Sequence, residues 1–112
     1  MRRKKKDVLA ALLGDEPVQM SETVRFEIEI GTGIKRAHLY TTRSLLLLYR
    51  SAPMGVQVTL VWYKDVERVV SGMKKGNPYV QLLGEASRLL IVFSSKSIRD
   101  SYKRKCLTYI EA

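Results

Sequence analysis

The stretch Ser44-Leu45-Leu46-Leu47-Leu48-Tyr49 decides the fold, because it is apolar at odd and even positions alike. Successive side chains of a β-strand point to opposite faces of the sheet. A strand that is apolar on both faces is either covered on two sides within its own domain or turns one face to a partner. The sequence leaves both alternatives open.

Six further runs with the composition of β-strands surround this one. Their signature is apolar alternation at every second position, or a short apolar stretch, with turn residues between the runs. In the run from Val56, the apolar residues Val56, Val58, Leu60 and Trp62 alternate with residues 57, 59, 61 and 63. The six runs are residues 24–30, the run that begins at Lys35, and residues 56–63, 66–71, 79–83 and 88–93.

The first two strands are expected to form a hairpin around the loop Gly31-Thr32-Gly33-Ile34. Pairing Ile30 with Lys35 sets apolar residues opposite each other on one face and opposite charges on the other. Arg36 and His38 then each face a carboxylate, which favours a structural role for both. The expected pairs are Ile28 with Ala37, Phe26 with Leu39, Glu29 with Arg36, and Glu27 with His38.

The chain ends in a predicted amphipathic helix. Ser94 or Ser95 is suited to cap it, because a serine hydroxyl accepts a hydrogen bond from a free N–H of the first turn. Ile98, Tyr102, Cys106 and Tyr109 follow at helical spacing and form one apolar stripe, which should lie over the open end of the strands. The spacing also predicts ion pairs of Lys96 and Arg104 with Asp100.

The N-terminal region divides into three predicted segments. Residues 1–6 form a basic flexible tail, residues 7–14 a short amphipathic helix, and residues 15–23 a linker to a domain at residues 24–111. Val8, Leu9, Leu12 and Leu13 share one face of this helix, which must dock on its own domain, a second subunit, another partner or a membrane surface. This apolar stretch is too short for a secretory signal peptide.

Composition and charge narrow the class of protein. The chain has 112 residues, of which 46% are hydrophobic, so we expect one folded domain. Five of its nine excess positive charges lie at residues 2–6, where they would attract nucleic acid phosphates or anionic lipid alike. Cys106 is the only cysteine, which excludes an internal disulfide and fits a cytoplasmic location, with a place at the membrane surface as the alternative.

Three stretches resemble a known family: Arg36 to Tyr49, with Leu39-Tyr40-Thr41-Thr42 before a tight turn; Trp62-Tyr63-Lys64-Asp65-Val66; and Phe93-Ser94-Ser95-Lys96 leading into the helix. Together with the order of seven strands and a helix, they resemble the pleckstrin-homology-like (PH/GRAM-like) superfold, and most closely its bacterial and archaeal branch. The resemblance implies a mainly β fold, a seven-stranded antiparallel sandwich or partly open barrel capped by a C-terminal helix.

The resemblance also implies a binding module that recognises lipid headgroups, peptides or other proteins. No set of residues predicts a catalytic site, a metal site or a cofactor, so we expect no enzyme. The candidate contacts for an anion or lipid are Arg2, Arg3, Lys4, Lys5, Lys6, Lys35, Arg36, Arg50 and Arg88. The candidate contacts for a protein partner are Leu46, Leu48, Pro53 and Met54.

Three functions follow from these candidates. The first is a non-enzymatic adaptor or assembly module, in which a strand edge or the groove beside the last helix takes a peptide or a second subunit. The second is a peripheral membrane module that binds anionic lipid through the basic N-terminal segment. The third is nucleic acid binding by the same segment, which lacks the stacking aromatic residues that single-strand binders add. No small-molecule substrate is expected.

Overall fold

A computed structural model describes residues 2–29 and 31–111, with side chains from residue 5 onward. The fold class predicted above is confirmed: seven antiparallel strands lie between a short N-terminal helix and a closing C-terminal helix. The elements in chain order are α1 (Arg2–Leu13), β1 (Met20–Glu27), β2 (Lys35–Thr41), β3 (Leu45–Ala52), β4 (Gly55–Trp62), a 3-10 turn (Tyr63–Asp65), β5 (Arg68–Lys74), β6 (Asn77–Leu83), β7 (Arg88–Val92) and α2 (Lys96–Glu111).

The strands form one open sheet in the order β4-β3-β2-β1-β7-β6-β5. In a flat sheet β4 and β6 would be about 24 Å apart, since neighbouring strands are separated by about 4.8 Å. Val61 of β4 and Leu82 of β6 nevertheless line one cleft. The sheet therefore curls into a partly open barrel, whose core takes apolar side chains from both halves.

Strand β3 is covered on both of its faces. Leu46 and Leu48 point into the barrel core and are fully buried. Leu45, Leu47 and Tyr49 point outward and are buried as well, because the apolar face of α1 packs on them. Of the two alternatives left by the sequence, the structure shows the first: the chain covers its own strand on two sides.

Helix α1 is longer than the sequence indicated. It begins at Arg2 and includes basic residues that were predicted to form a tail ahead of a helix at residue 7. Lysine and arginine are good helix formers, so nothing in their chemistry ends the helix there. The Lys5 ammonium lies 5.1 Å from the centre of the Tyr49 ring and 5.9 Å from that of Tyr40, a cation–π arrangement that extends the contact with β3.

The first hairpin has a different register from the predicted one. Phe26 pairs with Lys35 and Val24 with Ala37, a slip of four residues from the expected pairing. Ile30, the expected partner of Lys35, lies outside the described residues. Because the slip is an even number, Val24, Phe26 and Ala37 still point inward, but the cross-strand charge pairs are wrong.

The loop between β1 and β2 explains the slip. It covers residues 28–34 rather than four residues, and it is held by its own hydrogen bonds. The Thr32 hydroxyl donates to the Glu29 carbonyl oxygen over 2.7 Å, and the Gly33 N–H donates to Glu27 Oε2 over 3.2 Å. Gly31 and Gly33 have φ values of 91° and 95°, which other residues rarely adopt. A wider loop leaves Ile28 exposed, not inside.

The predicted apolar stripe of α2 is confirmed, whereas its predicted ion pairs are wrong. Ser95 is the cap, since its hydroxyl oxygen accepts the Ile98 N–H over 3.2 Å. Tyr102 and Cys106 are buried in the core, while Asp100 pairs with neighbouring Arg99 over 2.7 Å instead of with Lys96 or Arg104. Among the described residues, neither helix has the length and apolar content that crossing a membrane requires.

The docking of α1 can be tested by truncating one of the partly buried side chains on its apolar face. We expect Leu9→Ala to lower the free energy of unfolding by about 2 kcal/mol, because it removes methyl groups packed against β3. Urea unfolding followed by circular dichroism measures the change. Lys6→Ala, on the exposed side of the same helix, should leave the midpoint nearly unchanged. Equal midpoints for both variants would mean that α1 does not pack on the sheet.

Candidate functional site

The cations predicted to bind an anion do not converge. The side chains of Arg2, Arg3 and Lys4 lie outside the described residues, and Lys5 is engaged with the rings beside β3. Lys6 is exposed on α1. The basic N-terminal segment is therefore part of a docked helix wherever its side chains are described.

The cations on the strands are also separated. Arg50 donates to Gln57 Oε1 over 2.7 Å on the strand beside it. Lys35 lines a cleft next to β4, whereas Arg88 lines clefts at the turn between β6 and β7, one of them among three glutamate side chains. The clefts that Lys35 and Arg88 line contain no other described member of the predicted set of cations.

Arg36 and His38 have other neighbours than the sequence suggested. Arg36 lies opposite Arg25, a pair of like charges, instead of opposite a carboxylate. His38 is structural, but through hydroxyls: its Nε2 is 2.7 Å from the Ser21 hydroxyl and its Nδ1 is 3.4 Å from that of Thr23. Burial lowers the pKa of His38, and the nearby ammonium of Lys5 lowers it further.

The predicted partner contacts divide into two groups. Leu46 and Leu48 lie in the barrel core, so no partner can reach them in the folded domain. Their apolar neighbours on the outer face of β3 are occupied by α1. Pro53 and Met54 form the turn between β3 and β4 and are exposed, with Met54 99% accessible.

Strand β4 carries an exposed apolar surface that sequence reasoning missed. Its apolar positions share the outer face of the sheet rather than the core face, and Val56, Leu60 and Trp62 are 38%, 37% and 44% exposed. Their inner-face neighbours are Gln57, Thr59 and Val61, of which only Val61 packs on the core. The alternating pattern was correct, but alternation alone does not say which face is buried.

Strand β4 also has a free edge. Among the described strands it pairs only with β3, and it stands at the end of the strand order. The Tyr63 N–H donates to the Ser44 carbonyl oxygen over 3.0 Å, and in an antiparallel ladder hydrogen-bonded pairs alternate with non-bonded ones. Counting back in twos along β4, the backbone groups that point away from β3 belong to Val56, Val58, Leu60 and Trp62. These four residues therefore offer both an unpaired backbone edge and an apolar outer face.

The two edges of the sheet differ in charge. Strand β4 contains no charged residue and no proline, although natural edge strands are usually protected by such residues. Strand β5, at the other end of the order, begins with Arg68 and ends with Lys74. From α2, Arg99 donates to the Gly72 carbonyl oxygen and Lys103 to the Ser71 hydroxyl, each over 2.7 Å. Four cations thus border β5. Strand β4 contains none, and beside it the Lys64 ammonium lies 5.9 Å from the centre of the Trp62 ring.

A chain of buried hydroxyl groups holds α2 against the barrel. The Tyr63 hydroxyl is hydrogen-bonded to that of Thr41 and, over 3.1 Å, to that of Tyr102. The Tyr102 hydroxyl also contacts the Cys106 thiol. Burial raises the pKa of Tyr63 and Tyr102 far above the ordinary tyrosine value and raises the pKa of Cys106 to about 11. These groups stay protonated at neutral pH, so they act as hydrogen-bonding groups of the core.

Comparisons with known proteins identify the fold. No protein-family model matches the chain, and no curated protein sequence matches it. Solved structures do. An activated truncation of Vav1 superposes with a TM-score of 0.73 at 10% identity, over 97% of this chain and 32% of that one. The N-terminal PH domain of Vps36 gives 0.67 at 12% identity, over 88% of this chain and 84% of that one.

A third structure, the C-terminal domain of an unknown protein from Leishmania infantum, gives a TM-score of 0.67 at 10% identity and covers 98% of this chain and 99% of that one. The chain spans about a third of the Vav1 chain. At these identities the likeness concerns the fold alone. The chain has a PH-like fold, as the sequence resemblance implied.

The buried thiol leads to a prediction about pH. The pKa of Cys106 has its ordinary value of 9.0 in the unfolded chain and is raised to about 11 in the folded chain. Between these two pH values, unfolding therefore releases a proton. Stability should therefore be full below pH 9 and fall as the pH rises toward 11, as measured by urea unfolding. Cys106→Ala should make the fall shallower, whereas Thr108→Ala, on the exposed side of α2, should not. An identical pH dependence in Cys106→Ala would contradict the burial of the thiol.

Proposed function

We propose that this chain is a non-enzymatic protein-interaction module that docks another β-strand onto the free edge of β4. We further propose that a second copy of the chain supplies that strand. The proposal takes up the assembly role expected from the sequence, but it moves the contact from the interior of β3 to the neighbouring strand. Met54, at the turn that leads into β4, lies beside this edge.

The observation that carries the proposal is the combination of a free backbone edge with an uncharged apolar face on β4. A long, apolar edge strand presents unpaired N–H and C=O groups to any extended chain, and proteins normally avoid leaving one unprotected. Strand addition supplies affinity through the backbone and specificity through alternate side chains. Val56, Leu60 and Trp62 provide such side chains on one face.

The strand is complementary to itself, which is why we choose a second copy as the partner. Two β4 strands related by a twofold axis can pair antiparallel through the outward backbone groups. Val56 then lies opposite Trp62 of the other strand, and Val58 lies opposite Leu60. No charged residue faces another across this pairing, because β4 contains none. The two apolar faces would join into one continuous strip, as in an isologous dimer interface.

The membrane and nucleic acid alternatives use the N-terminal segment, which the structure holds in a docked helix wherever its side chains are described. For α1 to insert its apolar face into a bilayer, Val8, Leu9, Leu12 and Leu13 must first leave β3, which would expose Leu45 and Leu47. That exposure of apolar surface opposes release of the helix.

Membership of the bacterial and archaeal branch and a cytoplasmic location stay part of the proposal. None of the structures named above supports the branch.

The proposal is tested by the oligomeric state of two matched variants. Wild-type protein should show a concentration-dependent dimer in analytical ultracentrifugation. Leu60→Lys should weaken this dimer about tenfold or more, because it places an ammonium group in an apolar strip next to its own copy.

Leu107 is the matched control, since it is 37% exposed like Leu60 but lies on α2. Leu107→Lys should dimerise as wild type does. A wild-type chain that stays monomeric at every concentration would overturn the self-pairing, and so would an equal loss of dimer in both variants.

A further inference from the structure

A cleft between α2 and the turn that joins β2 to β3 gathers cations that the proposed function does not use. It has a volume of about 480 Å³ and is lined by Arg43 from the turn and by Arg104 and Lys105 from the helix. No carboxylate of the described residues lines it. Three like charges in one cleft repel each other, so folding alone does not favour this arrangement.

The turn that carries Arg43 has a fixed backbone. The Thr42 N–H donates to the Leu45 carbonyl oxygen over 2.9 Å. The Thr42 hydroxyl oxygen accepts the N–H groups of Ser44 and Leu45, each over 3.2 Å. Arg43 therefore starts from a defined position beside α2, although its side chain is exposed.

The face of α2 that borders the cleft is polar along its length. Ser101, Arg104 and Lys105 follow at the spacing that places helix residues on one side, next to the apolar stripe of the same helix. Tyr109 and Gln19, two residues with polar side-chain groups, complete this part of the lining. Burial raises the pKa of Tyr109, and the positive charge of Arg43 opposes that rise.

Among the residues with described side chains, none of the three cations forms an ion pair with a carboxylate. Asp100, one helical turn before Arg104, is paired with Arg99. Glu16, close to the turn, accepts a hydrogen bond from the Thr42 hydroxyl over 3.2 Å. Among the residues with described side chains, the Arg99–Asp100 pair is the one ion pair within 4.0 Å, so Arg43, Arg104 and Lys105 have no such partner.

We propose that this cleft binds a phosphate monoester group, with Arg43 and Arg104 as its principal contacts and Lys105, Ser101 and Tyr109 as further donors. Arginine suits this role because its planar guanidinium donates two parallel hydrogen bonds to phosphate oxygens. A dianion would also relieve the repulsion among the three cations. The group belongs either to a small soluble phosphate or to a lipid headgroup. The site is separate from β4 and does not depend on self-pairing.

Binding can be followed by NMR titration of the full chain with inorganic phosphate, at constant ionic strength. Amide shifts should concentrate at Arg43 and along the helix face at Ser101 and Lys105. The variant Arg43→Gln with Arg104→Gln should bind about a hundredfold more weakly, about tenfold for each charge-assisted contact removed. Lys96→Gln with Arg68→Gln removes the same charge outside the cleft and should bind as wild type does.

A second arm identifies the source of the phosphate group. Phosphatidylcholine vesicles that contain phosphatidic acid present a monoester, whereas those that contain phosphatidylserine present a diester of similar charge. Sedimentation with the first vesicles alone, lost in Arg43→Gln with Arg104→Gln, would assign the site to a lipid headgroup. Phosphate binding without sedimentation would assign it to a soluble ligand. The inference is overturned if neither probe binds, or if the control variant loses binding as much as the cleft variant does.

Discussion

The fold depends on the burial of β3 from both sides. Its inner leucines close the barrel core, and its outer leucines require α1 as a lid. The same requirement determines which apolar surface remains, since α1 reaches Val58 but leaves Leu60 and Trp62 half-exposed. The helix therefore has two effects: it completes the hydrophobic cover of one strand and defines the border of the exposed strip on the next.

The elements that the sequence predicted well are those specified by local pattern. The four leucines from Leu45 to Leu48 and the stripe of Tyr102 and Cys106 lie where their periodicity placed them. The register of the first hairpin was wrong because Gly31 and Gly33 permit a wide loop whose hydrogen bonds local pairing rules do not include. The sequence also could not show which face of β4 is directed toward the core, since period-two alternation is the same whichever face is buried.

The candidate sites show the same limit at the level of tertiary structure. Lys35 and Arg50 lie on the consecutive strands β2 and β3. Lys35 nevertheless lines a cleft, whereas Arg50 is hydrogen-bonded to Gln57. Arg43 and Arg104 are 61 positions apart, yet they line one cleft. The hydrogen-bonded hydroxyls of Thr41, Tyr63 and Tyr102 help to hold α2 beside the turn that carries Arg43. A cluster of charges that are adjacent in the sequence can be recognised from the sequence alone. A cluster formed by residues that are distant in the sequence can be recognised only when the topology of the fold is known.

The difference in charge between the two edges of the sheet has a consequence for the size of any assembly. If both edges accepted strands, each added copy would offer a new edge, and association would continue into fibres. The cations of β5 and α2 that border the far edge oppose such growth. Under the proposed pairing, a molecule with one receptive edge and one guarded edge pairs once and then stops, so the charges on β5 would limit the product to a closed complex of two chains.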